Sequence, residues 1–210
     1  MAEEQTPPPQ PAAPGEPPAA KPPAPPPRRE ATDASTHPWV ESLRVGVPDA
    51  VLSAREFAKQ ISVVVAREKI ADVARHLKDA MDFRYCVDVT AVDWRDRVPR
   101  FDVVYHFYSF SKNDRIRVKC GAADGEEVPS IATIFLAANW PERETWDMFG
   151  IRFAGHPDLR RILTWDGFHG YPLRKDFPVE GIDTGAAIYP EEWPEGGGPA
   201  ADDPNRKVVS

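Results

Sequence analysis

The sequence predicts an α+β domain in which helices pack on a mixed, mostly antiparallel sheet, followed by an extended C-terminal arm. Two segments early in the domain have the apolar spacing of amphipathic helices. Later segments alternate apolar and polar residues, and the connections between them are short enough to join antiparallel neighbours. Residues 151–181 then show neither period, although they are rich in aromatic and branched side chains.

The two ends of the chain differ in composition from its middle. Residues 7–27 contain twelve prolines and no aromatic or β-branched residue, so the sequence predicts a disordered leader over residues 1–37. The leader has no apolar core run, and its acidic residues are untypical of a transit peptide. A Gly/Pro-rich acidic tail is predicted for 182–210. The domain of 38–150 and the arm of 151–181 lie between them, the size of one domain plus an appendage.

Composition and charge exclude several functional classes. The chain has 210 residues and a formal net charge of −7, which argues against a nucleic-acid partner. No run of about 18 apolar residues exists to predict a membrane span. The two cysteines, Cys86 and Cys120, lie in unrelated segments. This usage indicates a reducing, cytoplasmic-type compartment rather than a disulfide framework.

The first elements follow from apolar spacing. "HPWVESLRVG" (37–46) predicts a short helix that ends near Gly46, because Pro lies near its start and an apolar stripe follows. Two short strands are predicted next, near 50–57 and over 61–66. "REKIADVARHLKDA" (67–80) predicts an amphipathic helix, with apolar residues at i, i+3, i+4 and i+7.

Three strands and a further helix are predicted after that. "FRYCVDVTAVDW" (83–94) indicates a half-buried strand with Tyr85 and Val87 on the apolar face and Cys86 on the wetter face. Residues 101–110 predict a more buried strand. Residues 114–121 alternate most regularly and direct Cys120 inward. A helix is predicted from about Ser130, with these residues buried: Ile131, Ile134, Phe135 and Ala138.

The search for catalytic or cofactor motifs returns mainly absences. No Gly-rich phosphate loop, Cys-x-x-Cys or His-Glu-x-x-His pattern is present, and iron–sulfur clusters usually need four cysteine ligands. Cys120 is interpreted as a small buried hydrophobe rather than a reactive thiol. His106, in an apolar strand, is interpreted as a core or cross-strand histidine, since no second ligand stands at useful spacing. The sequence therefore predicts no catalytic, cofactor-binding or metal-binding residue.

The segment "NWPERETWDMFG" (139–150) combines four charged side chains with aromatic surface. Asn139 is predicted to cap a helix, with Glu142 completing a capping box. Arg143 and Asp147 have the i, i+4 spacing of a local ion pair, and Gly150 is placed to end the helix. Glu144 and part of the aromatic surface are left without a local explanation.

The arm of 151–181 is too hydrophobic to be disordered and too irregular to be a helix or strand. Between residues 139 and 181 there are seven acidic and six basic residues. This near balance, with Arg, Trp and Tyr among the residues, favours paired contacts across an interface. The arm is therefore interpreted as a partner-binding element that becomes ordered on its partner.

"ERETWDMFGIRFAGHPDLRRIL" and "YPLRKDFPVEG" closely resemble the signature of the 30-kDa (C) subunit of respiratory complex I, the proton-pumping NADH:quinone oxidoreductase. The resemblance covers about 38–181. The leader and the tail depart from the family pattern. The resemblance implies a set of subunit-interface residues, namely Glu142, Arg143, Glu144, Asp147, His156, Arg160, Arg161, Tyr171, Arg174, Lys175 and Asp176.

The resemblance also implies a function. The expected role is a non-catalytic structural subunit of the hydrophilic arm, peripheral to the cytoplasmic side of a bacterial inner membrane. It would dock on the 49-kDa quinone-site subunit (D), near the iron–sulfur subunits B and I. The complex uses NADH, FMN, iron–sulfur clusters and quinone, and none is expected on this chain. An equivalent subunit of a membrane-bound hydrogenase or another quinone-linked dehydrogenase, and a free-standing adaptor domain, remain alternatives.

Overall fold

The computed structural model describes residues 30–181, so the predicted tail and most of the predicted leader lie outside the described residues. Two short 3₁₀ helices, Arg67–Lys69 and Leu136–Ala138, precede the second and third α-helices. The other elements of the described part are β1 (Thr32–Asp33), α1 (Pro38–Gly46), β2 (Val51–Phe57), β3 (Gln60–Val65), α2 (Ile70–Asp79), β4 (Tyr85–Asp93), β5 (Phe101–Ser109), β6 (Asp114–Ala122), β7 (Glu127–Pro129), α3 (Asn139–Phe149) and β8 (Arg152–Ala154).

Six strands form one sheet in the order β1-β2-β3-β6-β5-β4. Neighbours are antiparallel except β3 and β6, which are parallel. Short connections allow β2–β3 and β4–β5–β6 to form antiparallel neighbours, whereas a parallel pair needs a long crossover. That crossover contains α2, β4 and β5. The predicted mixed, mostly antiparallel α+β fold is confirmed.

The helices bury their apolar stripes against one face of the sheet. Leu43 of α1 and Val73 and Leu77 of α2 are fully buried in the same hydrophobic core as Val118 and Cys120 of β6. The predicted helix stripe and the inward direction of Cys120 are confirmed. Burial raises the pKa of the Cys120 thiol to about 12, so this side chain is a protonated, small core residue at neutral pH.

Strand β4 departs from the predicted alternation. Its register against β5 shifts between Cys86 and Asp88, so that Cys86 is buried while Tyr85 and Val87 are exposed. A bulge inserts one residue and reverses which side chains face the core. The prediction that Cys86 lies on the wetter face is wrong. Burial raises the pKa of its thiol to about 12.

The predicted helix from Ser130 does not form. Residues 132–134 make a turn, the 3₁₀ helix Leu136–Ala138 follows, and regular α-helix begins at Asn139. The Ser130 N–H donates to the carbonyl of Ala154 beside the β7–β8 pair, which favours extended backbone at this point. Three of the four predicted residues are nevertheless buried: Ile131, Phe135 and Ala138.

The packed structure extends beyond the predicted domain of 38–150 at both ends. Strand β1, inside the predicted leader, pairs with β2, and the adjacent Ala34 is buried in the core. Strand β8, inside the predicted arm, pairs in parallel with β7. Both segments join the domain through backbone hydrogen bonds, which amino-acid composition does not reveal.

The packing of α1 predicts unequal effects of two substitutions on one helix. Leu43→Ala should lower the free energy of unfolding by about 2–5 kcal/mol, because it leaves a cavity in the core. Val45→Ala, at a side chain that is 83% exposed, should change it by less than about 0.5 kcal/mol. Urea denaturation of both variants measures the difference. Equal effects would contradict the burial of the Leu43 face.

Candidate partner-binding site

Glu142 in the first turn of α3 is completely buried. Its carboxylate accepts hydrogen bonds from Ser130 Oγ at 2.5 Å and from the N–H of Ile131 at 2.8 Å. The predicted capping box is therefore wrong, and Ala138 precedes the helix without a side-chain cap. Burial raises the pKa of Glu142 to about 7, and the two hydrogen bonds oppose this rise only in part.

His156 connects the turn after β8 to the start of α3. Its buried ring accepts a hydrogen bond at Nδ1 from the N–H of Asp158, over 3.0 Å. An imidazole that accepts at Nδ1 carries a proton on Nε2, and Nε2 lies 3.0 Å from the carbonyl oxygen of Asn139. Nε2 also lies 3.9 Å from the Glu142 carboxylate. This predicted interface side chain thus makes its contacts inside the chain.

Asp147, on the next turns of α3, binds the returning arm. Its Oδ2 accepts hydrogen bonds from three successive N–H groups, those of Ile162, Leu163 and Thr164, at 2.8–3.1 Å. Its Oδ1 accepts from Arg161 at 2.6 Å. Burial by itself raises the pKa of Asp147, but the hydrogen bonds, led by Thr164, outweigh it and lower the pKa to about 2.

Arg143 also contacts the arm rather than its neighbour on the helix. It donates to the carbonyl oxygens of Arg160 at 3.1 Å and Arg161 at 2.8 Å. The predicted Arg143–Asp147 pair is wrong, because the arm lies along this face of α3 and supplies a partner to each side chain. In residues 160–164, Arg143 thus binds the first two carbonyl oxygens and Asp147 binds the last three N–H groups.

Aromatic rings surround the guanidinium of Arg161. Its central carbon lies 5.6–5.7 Å from the ring centres of Trp146, Phe168 and Tyr171, within the range of cation–π attraction. Gly150 permits the close approach of Tyr171, because a Cβ at this position would lie 2.5 Å from that ring. The backbone of Gly150 also adopts φ 77°, which favours glycine. Gly150 ends α3, as predicted.

Arg174 attaches the next part of the arm to the domain. Its Nε donates to the carbonyl oxygen of Phe149 at 2.6 Å, and its two terminal nitrogens reach Asp124 at 3.0 and 2.9 Å. Arg174 thus joins the C-terminal end of α3 to the loop that follows β6. The side chain is only 16% exposed.

A second arginine completes the attachment at the same end of the sheet. Arg100 pairs with the buried Asp93 at 2.7 Å and with Asp176 of the arm at 2.9 Å. The Arg100 guanidinium and hydrogen bonds from the N–H groups of Lys175 and Arg95 hold the pKa of Asp93 well below its usual range. The lysine side chain of residue 175 itself is exposed.

The arm and α3 leave an apolar groove on the surface. Leu136, Trp140 and Leu163 are 85%, 69% and 62% exposed and line an open cavity of about 930 Å³. Pro141 and Glu144 line the same groove, and Glu144 is exposed. We call this surface, defined by Leu136, Trp140, Pro141, Glu144 and Leu163, the apolar groove.

The predicted interface residues thus fall into two groups. Seven make contacts inside the described chain through largely or wholly buried groups: Glu142, Arg143, Asp147, His156, Arg161, Tyr171 and Arg174. The remaining four lie at the surface: Glu144 in the apolar groove, Arg160 paired with Asp158, Lys175, and Asp176 paired with Arg100. Most of the arm's charges have partners within the described chain, so their balance does not by itself indicate an interface. Their interface role stays a prediction.

Sequence reasoning missed several residues that build this site. Ser130, Thr164, Arg100 and Asp124 hold α3 or the arm, yet no motif or apolar period identifies them as partners of these elements. Leu136 was missed because the helix expected from Ser130 was defined by its buried side. Leu136 is an apolar residue on the outer side of that expected helix, and this was the one signal in the sequence that could have identified it.

Within residues 30–181, no group of three or more His, Cys, Asp or Glu side chains is placed to hold a metal ion. No helix in that range is long and apolar enough to cross a bilayer.

The fold and the site define a class of α+β domains with an arm folded back on a charged, aromatic helix and an apolar groove between them. The chain belongs to the family described as the respiratory-chain NADH dehydrogenase, 30 Kd subunit, which matches residues 63–183.

Curated relatives agree with this family. The chain is 54% identical over 136 residues to the C subunit of the NADH-quinone oxidoreductase of Rhodobacter capsulatus, covering 64% of this chain and 68% of the relative. It is 46% identical over 136 residues to the same subunit of Geobacter sulfurreducens, covering 64% and 84%. The match to the second C subunit of Rhizobium etli is 52% identical over 119 residues and covers 56% of this chain and 64% of that relative.

A solved structure is similar as well. It is a chain of the membrane-bound sulfane sulfur reductase, described as an archaeal respiratory membrane complex. The TM-score is 0.58 at 26% sequence identity, and the match covers 67% of this chain and 84% of that chain. The fold therefore occurs in more than one kind of respiratory membrane complex.

The hydrogen bonds of Asp147 predict that its charge holds the arm. Asp147→Asn should lower the free energy of unfolding by about 1.5–3 kcal/mol, because hydrogen bonds to a charged acceptor are lost. The amides of residues 162–164 should exchange at least about tenfold faster in hydrogen-exchange mass spectrometry. Asp158→Asn, at a surface ion pair, is the matched control and should cost less than about 1 kcal/mol. Unchanged exchange at 162–164 would contradict this role.

The buried carboxyl of Glu142 predicts a pH effect on stability. Its pKa is about 7 in the folded state against an ordinary 4.5, so the folded chain binds the proton more tightly. The stability from this group is fully present below pH 4.5 and is lost as the pH rises through 7. Glu142→Gln should remove this decline from urea denaturation curves measured between pH 4.5 and 8. The same decline in native protein and variant would show that another group causes it.

Proposed function

We propose that this chain is a non-catalytic docking and assembly subunit of a proton-translocating NADH–quinone oxidoreductase. It docks on the quinone-site 49-kDa subunit (D), beside the iron–sulfur subunits B and I. The complex is attached to the cytoplasmic side of the bacterial inner membrane. NADH, FMN, the iron–sulfur clusters and quinone are bound by other subunits. Family membership and the names of the relatives support the kind of complex.

The observation on which the docking role rests is the apolar groove. Three large apolar side chains, each more than 60% exposed, lie together there. A contiguous apolar patch of this kind typically marks an interaction site in a soluble domain. Trp140 is the type of side chain that anchors interfaces, and Glu144 supplies a polar rim.

The buried charges near the groove support docking rather than chemistry. Glu142 and Asp147 are occupied by hydrogen bonds from the chain itself, so they hold the backbone that shapes the groove.

The thiols of Cys86 and Cys120 have pKa values of about 12 because they are buried. A protonated, buried thiol is a poor nucleophile and a poor metal ligand.

A second candidate is the equivalent subunit of a related respiratory membrane complex. The similarity to a chain of the sulfane sulfur reductase complex favours it. Identity to the NADH-quinone oxidoreductase subunits is about twice as high, so the first candidate is preferred. Neighbouring genes for subunits B and D with flavin and membrane modules would support the first candidate. A neighbouring hydrogenase catalytic gene would support a related complex instead.

The groove predicts which surface substitutions impair assembly. Leu136→Asp and Leu163→Asp should each weaken association with the neighbouring subunits by about 10- to 100-fold, because a charge replaces a side chain that becomes buried on docking. The yield of assembled complex from membranes should fall, whereas quinone reductase activity per assembled complex should stay nearly normal.

Val45→Asp provides the matched control, since this α1 side chain is 83% exposed and lies outside the groove. It should assemble like the native chain. Thermal melting of all three isolated variants should be close to native. Full assembly of both groove variants would show that docking uses another surface. Full assembly with lost turnover would indicate a direct part in electron transfer or quinone chemistry.

A further inference from the structure

The face of the sheet that points away from the helices carries a row of cations. On β6 the residues that alternate with the buried Ile116, Val118 and Cys120 are Arg115, Arg117 and Lys119. The register places Ser62 and Arg55 on one side of Arg117 and His106 on the other. We call the surface formed by Arg55, His106, Arg115, Arg117 and Lys119 the basic face.

Among the described residues, the arginines and the lysine of the basic face have no carboxylate as an ion-pair partner. Within residues 30–181, no carboxylate oxygen lies within 4.0 Å of the charged nitrogens of Arg55, Arg115, Arg117 or Lys119. Three acidic residues share this side of the sheet, and two of them have other partners. Asp102 binds Arg97 and Trp94, Asp33 accepts from Ser35, and Asp88 is exposed opposite His106.

Two further features concern the solvent exposure and the local charge of the face. Val104 is only 5% exposed although it lies outside the main core, and in the sheet it is paired with Lys119. The pKa of His106 is lowered, first by burial and then by the charge of Arg117, while Asp88 opposes this shift. Arg117 and Lys119 are partly buried, and partly buried cations without counterions can bind an acidic polypeptide strongly.

We propose that the acidic segment of residues 182–210 of this same chain binds the basic face. The segment carries six acidic residues against two basic ones, so its charge complements the face in a chain whose net charge is −7. The acidic residues are Asp183, Glu191, Glu192, Glu195, Asp202 and Asp203. The inference is independent of the proposed docking at the apolar groove.

The attachment of the arm at Asp176, five residues before Gly181, lets the segment reach the face. Asp176 is fixed to Arg100 immediately before β5, at the end of the sheet where Asp102 pairs with Gly121. On β6, Lys119 lies two residues from Gly121 and Arg117 lies four residues from it. At the usual rise of a strand these separations are about 7 and 13 Å. The ten residues from Gly181 to Glu191 can extend over about 33 Å.

His106 can report this binding in the full chain. Its pKa should be measured by NMR in the native chain and in a full-length variant with all six acidic residues of the segment replaced by their amides. At about 50 mM salt, the native chain should bind the His106 proton about threefold more tightly, because bound carboxylates favour imidazolium. At about 1 M salt the difference should disappear, since the screening length falls to about 3 Å.

The control is a double-mutant comparison. In a chain with Arg117→Gln and Lys119→Gln, neutralising the acidic segment should no longer change the pKa of His106. Equal pKa values in native and neutralised chains at low salt would overturn the proposal. So would a difference that persists at 1 M salt, or a rise that occurs only after assembly, which would assign the face to a neighbouring subunit. None of these outcomes depends on whether the apolar groove docks a partner.

Discussion

The carboxylate of Asp147 is the interaction on which the arrangement of α3 and the arm depends. A buried carboxylate needs several donors to offset the loss of water, and the arm supplies them as three consecutive backbone N–H groups with Arg161 and Thr164. The three N–H groups must converge on one oxygen, which restricts the backbone conformation of the arm at this point. The charge therefore fixes both the position and the shape of residues 161–164.

The remaining contacts of the arm follow from that anchor. Once residues 161–164 are held, Tyr171 reaches the space that Gly150 leaves free, and Arg174 meets the last carbonyl of α3. Arg100 then joins the arm to β5 through Asp176. Leu163 of the held segment lines the groove together with Leu136, the exposed residue that precedes α3. The surface groove thus depends on polar contacts, of which those of Asp147 are buried and those of Asp124 and Asp176 are partly exposed.

The sequence predicted those parts of the fold that local periodicity determines. The α2 stripe, the alternation of β6 and the end of α3 at Gly150 depend on residues close in sequence, and all were correct. The bulge at Cys86 was not predictable from the pattern, because one inserted residue reverses an alternation that otherwise looks regular. For the site, the right segment was found, but Glu142 and Asp147 were assigned local partners. Their actual partners, such as Ser130 and Thr164, lie 12 and 17 residues away.

The segment of residues 139–150 therefore has two physical roles, which cannot be told apart from its sequence. Its buried charges organise the arm, and its exposed apolar residues, with Leu136 and Leu163, offer a surface. A partner that binds the preformed groove need not bear the entropy of ordering residues 160–177, because intrachain hydrogen bonds have already ordered them. Loss of a buried charge would then weaken docking indirectly, because the arm would have to be ordered when the partner binds. Loss of an exposed apolar residue would weaken it directly and leave the arm in place. Hydrogen exchange of the arm, measured before any partner is added, separates these two causes.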